Sequence, residues 1–562
     1  MSGTTASQGS PEFGNLRPDD VWQSVIATLD RDPSQTINTF WECCGRWSGH
    51  EDKLALLIRD PDGSAQRWTY ADLSREAARA SRMFHKSGLR RGDRLVAILG
   101  RQVEAWICAL AAWRAGLVYV PVFPGFGHDA MAYRIGTSDA KAVVVDYRSV
   151  SALDQARALV PKDLDVLCVA GPQGTGLSEG VRSFWSEMEL CAPDGPEIAT
   201  AGSDPASLMF TSGTTGQPKA CIIPHEGFLS LFPFVKHAMA ISPTDLLFST
   251  SDPSWSYGLY TTGCVPMALG IPRVIYSGDF DARAWIRLME EEEVTHAAGA
   301  PTAFRRLTRE GLDHGFNSSL RAASTAGEPL DADTVEDWAA LTGSPMRDSY
   351  GLTEVGMLLA NLGNPMTKII PGALGAAVPG FDVVLVDEAG EPLGLDAMGR
   401  IAVHRPKFQL ANGYENAPEA WTSRWIGDLY MTDDLAYRDA EGWWWYRGRA
   451  DDVIVTAGYN VGPGEVEAAI LAVPGVEDGA AVAVPDADRG SVVCAVVVLE
   501  KGQDREAIIP AIQEAVRTQV GRHAYPRRFW FVDALPRTET GKVRRAALRS
   551  RWYGDDARSI PP

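Results

Sequence analysis

The sequence predicts an α/β fold, with a large multi-lobed N-terminal domain and a small α+β C-terminal domain. Three observations carry this. The chain has 562 residues, too many for one compact core. Helical and strand-like stretches alternate through its first 300 residues or so, the mark of layered α/β structure. From residue 465 the pattern resets to a short helix–strand–strand–helix–strand series of ordinary small-domain size.

Residues 71–88 carry apolar side chains at helical spacing and end in glycine, so they predict a helix. The runs 94–99, 117–123 and 142–145 are short, apolar and bounded by Gly, Asp or Pro, which predicts buried strands. The Gly-rich stretch 171–180 predicts a surface loop. Residues 273–276 read as a strand, 282–293 as a helix and 294–298 as the next strand. Further on, 378–386 and 400–403 predict a β-hairpin in a smaller β-rich lobe. The closing series is helix 465–471, strands 479–484 and 491–499, helix 505–516 and strand 528–532. We place the boundary near 449–452, giving domains 14–450 and 451–562. Residues 1–13 are small and polar, and Gly9-Ser10-Pro11-Glu12-Phe13 reads as a vector-derived tag.

Composition narrows the function. Hydrophobic residues are 45% and charged residues 22%, ordinary for a globular protein. The 72 Asp and Glu outweigh the 53 Lys and Arg for a net charge of −19, which repels phosphate backbones and disfavours nucleic-acid or anionic-membrane binding. ATP is not excluded, because a small polyanion needs only a few local donors. The eight cysteines form no C-x-x-C pair and no zinc spacing, so buried thiols in a reducing compartment are expected. The longest apolar run, 109–123, is interrupted by Arg114. With no signal peptide, a cytoplasmic protein is the expectation.

The chemistry starts at residues 211–219, Thr-Ser-Gly-Thr-Thr-Gly-Gln-Pro-Lys, directly after the apolar Leu208-Met209-Phe210. Glycines let the backbone approach closely, and hydroxyls, N–H groups and an ammonium can surround phosphate oxygens. A polar turn fits the same residues. A Walker A loop does not, since Pro218 stands where that pattern has Gly before Lys.

This loop resembles the phosphate-loop signature of the adenylate-forming superfamily, which includes acyl- and aryl-CoA synthetases. Four further segments follow in that family's order: 324–330 (STAGEPL), 350–356 (YGLTEVG), 430–466 and 536–545 (PRTETGKVRR). The resemblance covers nearly everything after the tag and points to the branch of acetyl- and medium-chain acyl-CoA synthetases. It implies a large adenylate-forming domain, a mobile small domain, and ATP, Mg²⁺ and CoA as cofactors.

The resemblance also implies roles. Thr211, Ser212, Gly213, Thr214, Thr215 and Lys219 would hold the β- and γ-phosphates. Gly327, Glu328 and Pro329 would line the adenine, with Asp348, Tyr350 and Gly351 completing the nucleotide site. Thr353 would contact the α-phosphate, and Glu354 would help hold the metal. Asp434 would accept from the ribose hydroxyls, assisted by Arg449; the family usually has Gly before this aspartate, whereas this chain has Asp433, which leaves open which carboxylate faces the ribose. Lys542 would bridge the attacking carboxylate and the α-phosphate, where negative charge spreads in the transition state. Asp451 stands at the hinge, Gly458 would line the pantetheine tunnel, and Arg517 aligns with an arginine on the CoA 3′-phosphate.

The acyl pocket is the least legible part. Residues 251–260 (SDPSWSYGLY) resemble the segment beside the substrate carboxylate, so Trp255, Tyr257 and Gly258 would shape the acyl end. Aromatic walls suit an apolar or aryl acid, and equally a plain core. His225 follows the phosphate loop as either an acyl-site or a structural histidine. Gly176-Leu177-Ser178-Glu179-Gly180 matches a hydrolase elbow but lacks the preceding strand. The reading is an acid–thiol ligase that adenylates a small carboxylic acid and passes the acyl group to CoA, the alternative acceptor being a carrier protein. No carrier domain follows before Pro562, which favours CoA.

Overall fold

A computed structural model describes residues 16–160, 164–169, 180–211, 218–363, 368–450, 452, 454–456, 459–486, 490–522, 524–537 and 543–552. Two large sheets dominate the first 420 residues or so. The first runs, edge to edge, Ala376–Ala377, Gly356–Ala360, Met346–Leu352, Ala322–Ala326, His296–Gly299, Leu247–Ser249, Arg273–Tyr276, Leu54–Arg59 and Ala65–Thr69. The second runs Gly413–Tyr414, Lys219–Pro224, Pro205–Thr211, Val118–Val122, Arg94–Ile98, Ala142–Asp146, Asp165–Val169 and Val181–Ser183. Their central strands are parallel, whereas Gly356–Ala360 and Lys219–Pro224 run antiparallel to their neighbours; the central Val118–Val122 and Ala142–Asp146 are buried along their whole length. The continuous apolar runs in the sequence carry that burial directly.

Helix Val103–Arg114 has Trp106, Cys108, Leu110 and Trp113 inside, with no solvated face through its middle turns. A helix apolar all round must be buried. Its Trp113 indole donates to the Ala206 carbonyl at 3.1 Å, fixing the helix to the strand that leads into residue 211.

A third, antiparallel sheet joins Val383–Val386, Ala397–His404, Leu429–Arg438, Trp425–Ile426 and Trp444–Arg449. The predicted hairpin is therefore present, but its first strand begins at Val383 rather than 378. Gly380 adopts φ +95° and its carbonyl accepts from the Trp22 indole at 3.0 Å, which turns the chain away from extended geometry. The C-terminal domain holds helix Pro463–Leu471, strands Val476–Asp486, Gly490–Leu499 and Arg528–Phe531, and helix Arg505–Gln519, in the predicted order. Its last described helix, Arg545–Trp552, is tied inward by salt bridges from Arg545 to Glu467 at 2.6 Å and from Arg549 to the buried Asp452 at 2.9 Å.

Two segments take a form that no periodicity in the sequence indicates. Phe234–Met239 and Tyr257–Cys264 are π-helical, the second continuing directly into Val265–Ala268. Wide turns of this kind are rare and concentrate at functional sites. Among the described residues, no helix is long and apolar enough to cross a membrane.

Candidate active site

Ligands of open α/β sheets bind beyond the carboxyl ends of the parallel strands, and among the described residues Thr211, Gly327–Pro329, Thr353, Glu354 and Trp255–Gly258 end or follow such strands. Strand Pro205–Thr211 turns back as Lys219–Pro224, with Thr211 opposite Lys219. The Thr211 hydroxyl donates to the Lys219 carbonyl at 3.3 Å. Ser212, Gly213, Thr214 and Thr215 lie outside the described residues.

Lys219 and Glu354 meet around Tyr414, a residue that sequence reasoning missed. The Lys219 ammonium lies 5.3 Å from the centre of the Tyr414 ring, and the Tyr414 hydroxyl donates to Glu354 Oε1 at 2.8 Å. Strand Gly413–Tyr414 reaches this place by pairing with Ile222 and Cys221. Burial and the neighbouring Glu354 carboxylate push the Tyr414 phenol well above its ordinary pKa, so it stays a donor. Thr353 shares a hydrogen bond with Ser256 at 2.9 Å, which joins the 350–356 motif to the 251–260 segment. Gly351 sits where a Cβ would come within 2.5 Å of the Gly356 carbonyl, so only glycine lets this hairpin close.

Asp434 and Asp433 are separated by their partners. Asp434 is buried, with Tyr350 donating to Oδ2 at 2.7 Å and Tyr446 to Oδ1 at 2.9 Å. Asp433 is ion-paired with Arg424 and, at 3.1 Å, with Arg449. Burial alone would raise the Asp433 carboxyl; the hydrogen bond and charge of Arg424, with Arg449, hold it below the ordinary range. Asp348 is buried with its Oδ1 accepting from the Thr325 hydroxyl at 3.0 Å and the Ser349 N–H at 2.9 Å. Burial pushes its pKa up to about 7. The loop after Ala322–Ala326 turns at Gly327, φ +97°. There the Glu328 carboxylate accepts from the Thr302 N–H at 3.2 Å, at the N-terminus of helix Pro301–His314, and the Pro329 carbonyl accepts from Arg305 at 2.6 Å.

In the segment expected to shape the acyl end, Trp255 packs against Phe123 and Phe126 with ring centres 6.1 and 5.9 Å apart. The Tyr257 hydroxyl is enclosed with no hydrogen-bond partner among the described residues, and burial raises its pKa. A Cβ on Gly258 would collide with the Asp252 carbonyl, so this residue shapes the start of the π-helix.

His225, read as either an acyl-site or a structural histidine, lies inside the protein. It is fully buried, and its Nδ1 accepts from the Thr39 N–H at 3.1 Å. Burial lowers its pKa to about 3, which keeps the ring neutral. Arg517 lies on the outer face of helix Arg505–Gln519, paired with Glu514 at 2.5 Å, the arrangement of a solvated helix charge. Lys542, Gly458, Asp451 and most of the 176–180 hydrolase-like stretch lie outside the described residues.

Tyr446 was also missed, although a signal existed. In the strand Trp-Trp-Tyr-Arg-Gly-Arg of Trp444–Arg449, side chains two apart share a face, so a buried Trp444 implies an inward Tyr446. Tyr414 had no such signal, since its partner strand is nearly two hundred residues earlier in the chain.

The family described as AMP-binding enzyme matches residues 45–415, and the AMP-binding enzyme C-terminal domain matches 465–542. The uncharacterized acyl-CoA ligase YtcI of Bacillus subtilis (strain 168) is 32% identical over 90% of this chain and 94% of its own length. The mitochondrial acyl-coenzyme A synthetase ACSM1 of Mus musculus is 32% identical over 97% of this chain and 93% of its own. The crystal structure of Brucella canis acyl-CoA synthetase superposes with a TM-score of 0.74 at 33% identity, covering 95% of this chain and 98% of that one.

Proposed function

The chain belongs to the AMP-binding enzyme family, and from that premise we propose how its residues carry out an AMP-forming acyl-CoA synthesis. A carboxylic acid and ATP give an acyl-adenylate and pyrophosphate, and CoA then displaces AMP to give the thioester. The observation that carries the assignment of roles is the meeting of Lys219 and Glu354 around Tyr414, because it joins a phosphate-binding cation to a metal-binding carboxylate.

In the first step a carboxylate oxygen of the acid attacks the α-phosphorus, and the bond to the pyrophosphate oxygen breaks. Thr211, Ser212, Thr214 and Lys219 hold the departing phosphates. Thr353 and Lys542 meet the charge that builds on the α-phosphate oxygens, with donors placed in advance. Asp434 accepts from the ribose hydroxyls, and Asp433 holds Arg449 beside it. In the second step the CoA sulfur attacks the acyl carbonyl and AMP leaves. Gly458 lines its approach, Asp451 is the hinge of the small domain, and Arg517 exchanges its Glu514 pair for the CoA 3′-phosphate.

Among the described residues, no three or more His, Cys, Asp or Glu side chains cluster to hold a metal by themselves. That suits Mg²⁺ bound mainly through substrate phosphates, which asks for only one or two protein carboxylates. A carboxylate has about four acceptor sites, so Glu354 keeps room for the ion while bonded to Tyr414. When bound, the ion neutralises phosphate charge. All eight cysteines are buried free thiols, which supports residence in a reducing compartment such as the cytoplasm.

The test is a screen of carboxylic acids scored for AMP and CoA thioester by mass spectrometry, followed by ATP–pyrophosphate exchange on the best acid. Lys542→Ala should lower exchange by about 10²–10³, and Gly458→Leu should spare exchange while blocking thioester formation. Full exchange by Lys542→Ala would sink the catalytic assignment, and equal loss of both half-reactions in Gly458→Leu would sink the tunnel.

A further inference from the structure

The outstanding feature of the nucleotide cleft is that Asp434 receives a phenol at each oxygen. Tyr350 donates to Oδ2 at 2.7 Å and Tyr446 to Oδ1 at 2.9 Å, and the two rings stand 6.1 Å apart at 35°. Tyr350 belongs to a motif already assigned to the nucleotide, whereas Tyr446, although it falls inside the 430–466 segment, has no role implied by the resemblance.

The backbone is built to deliver Tyr446. Strands Leu429–Arg438 and Trp444–Arg449 pair Asp434 with Arg449 and Leu435 with Gly448, and then the register slips so that Ala436 faces Tyr446. The slip makes a bulge at Arg447, and Gly448 provides the φ of +109° found there. Bulges re-aim side chains beside active sites, and this one lets the Tyr446 hydroxyl reach back along the partner strand to Asp434. The buried Trp444 anchors the same face two residues earlier. The Thr432 hydroxyl accepts from the Asp434 N–H at 3.2 Å, fixing the backbone beneath the carboxylate.

We propose that Tyr446 is a positioning residue for ATP: with Tyr350 it clamps the Asp434 carboxylate so that the remaining acceptor sites on its two oxygens face the ribose 2′- and 3′-hydroxyls. A carboxylate offers about four acceptor sites, and the two phenols occupy one on each oxygen. Burial and the Asp434 charge raise the Tyr446 phenol well above its ordinary pKa, so it remains a donor throughout the working range of the enzyme. The inference rests on the reading of Asp434 as the ribose acceptor.

The experiment compares ATP with 2′,3′-dideoxy-ATP in pyrophosphate exchange, in wild type, Tyr446→Phe, Tyr446→Gln and Asp434→Asn. Tyr446→Phe should shrink the preference for ATP by about tenfold, the scale of one hydrogen bond to a charged group. The change should fall on KM for ATP, with kcat and the dideoxy constants nearly unmoved. Tyr446→Gln keeps a donor and should retain more of the preference than Tyr446→Phe. Equal losses with both nucleotides, an unchanged preference, or the reverse order of the two variants would overturn the clamp. Asp434→Asn should erase the preference. If it does so while Tyr446→Phe does not, the clamp alone fails; if Asp434→Asn keeps the full preference, the ribose reading falls and the clamp with it.

Discussion

Removing one oxygen atom from Tyr414 tests how the proposed phosphate and metal sides of the cleft are joined. In Tyr414→Phe the ring stays in its edge-on contact with Trp421, 5.3 Å between centres, and Lys219 keeps its place 5.3 Å from the ring centre. What disappears is the 2.8 Å hydrogen bond to Glu354. A hydrogen bond to a charged group is worth about 1.5–3 kcal/mol, which corresponds to roughly ten- to hundredfold in rate. The retained cation–π contact is worth about 0.5–1 kcal/mol, so the loss should be separable from it. Exchange kcat/KM for ATP should therefore fall about ten- to hundredfold, and the Mg²⁺ concentration for half-maximal rate should rise. The decisive measurement is a double-mutant cycle with Glu354→Gln. Starting from that variant, Tyr414→Phe should cost less than about threefold, because its partner charge is already gone. Fully additive losses would show that Tyr414 does not act through Glu354.

Two further outcomes follow from buried titratable groups. His225→Leu deprives the Thr39 N–H of its acceptor, so the protein should lose about 1–3 kcal/mol in denaturant unfolding while KM for the acid changes little; a tenfold rise in that KM with intact stability would return His225 to the acyl pocket. Asp348, held near pH 7 by burial, binds its proton more tightly folded than unfolded. Its contribution to stability is whole below about pH 4 and is lost as pH climbs through 7, at most about 4 kcal/mol in all. The unfolding midpoint of Asp348→Asn should gain on wild type between pH 5 and pH 8, and parallel pH profiles would refute the buried acid.

Much of the fold was legible because burial writes itself into local pattern. Strand Arg273–Tyr276 matches its predicted bounds, and helix Tyr70–Lys86 differs from the prediction by a residue or two at each end. The C-terminal series holds element by element. The π-helix Tyr257–Cys264 was not legible, since its register depends on Gly258 pressed against the Asp252 carbonyl, a contact that periodicity does not encode. In the site, the motif residues stood out through the resemblance of their segments to a known family, whereas Tyr414 and Arg424 contribute only through the partners that tertiary folding brings them. The choice between Asp433 and Asp434 also needed structure: adjacent residues of one strand point to opposite faces, and only their partners reveal that Asp433 belongs to arginines and Asp434 to phenols.

The hydroxyl pair between Ser256 and Thr353 has a consequence for how the enzyme chooses its acid. Ser256 lies between Trp255 and Tyr257, and Thr353 is the residue we propose to grip the α-phosphate. An acid too bulky for the aromatic wall would push on the first and so drag the second. Poor fit would then be registered as slow turnover of a bound complex, and a competing acid could occupy the cleft well and still be adenylated badly. Selectivity measured by affinity alone would understate what this enzyme rejects.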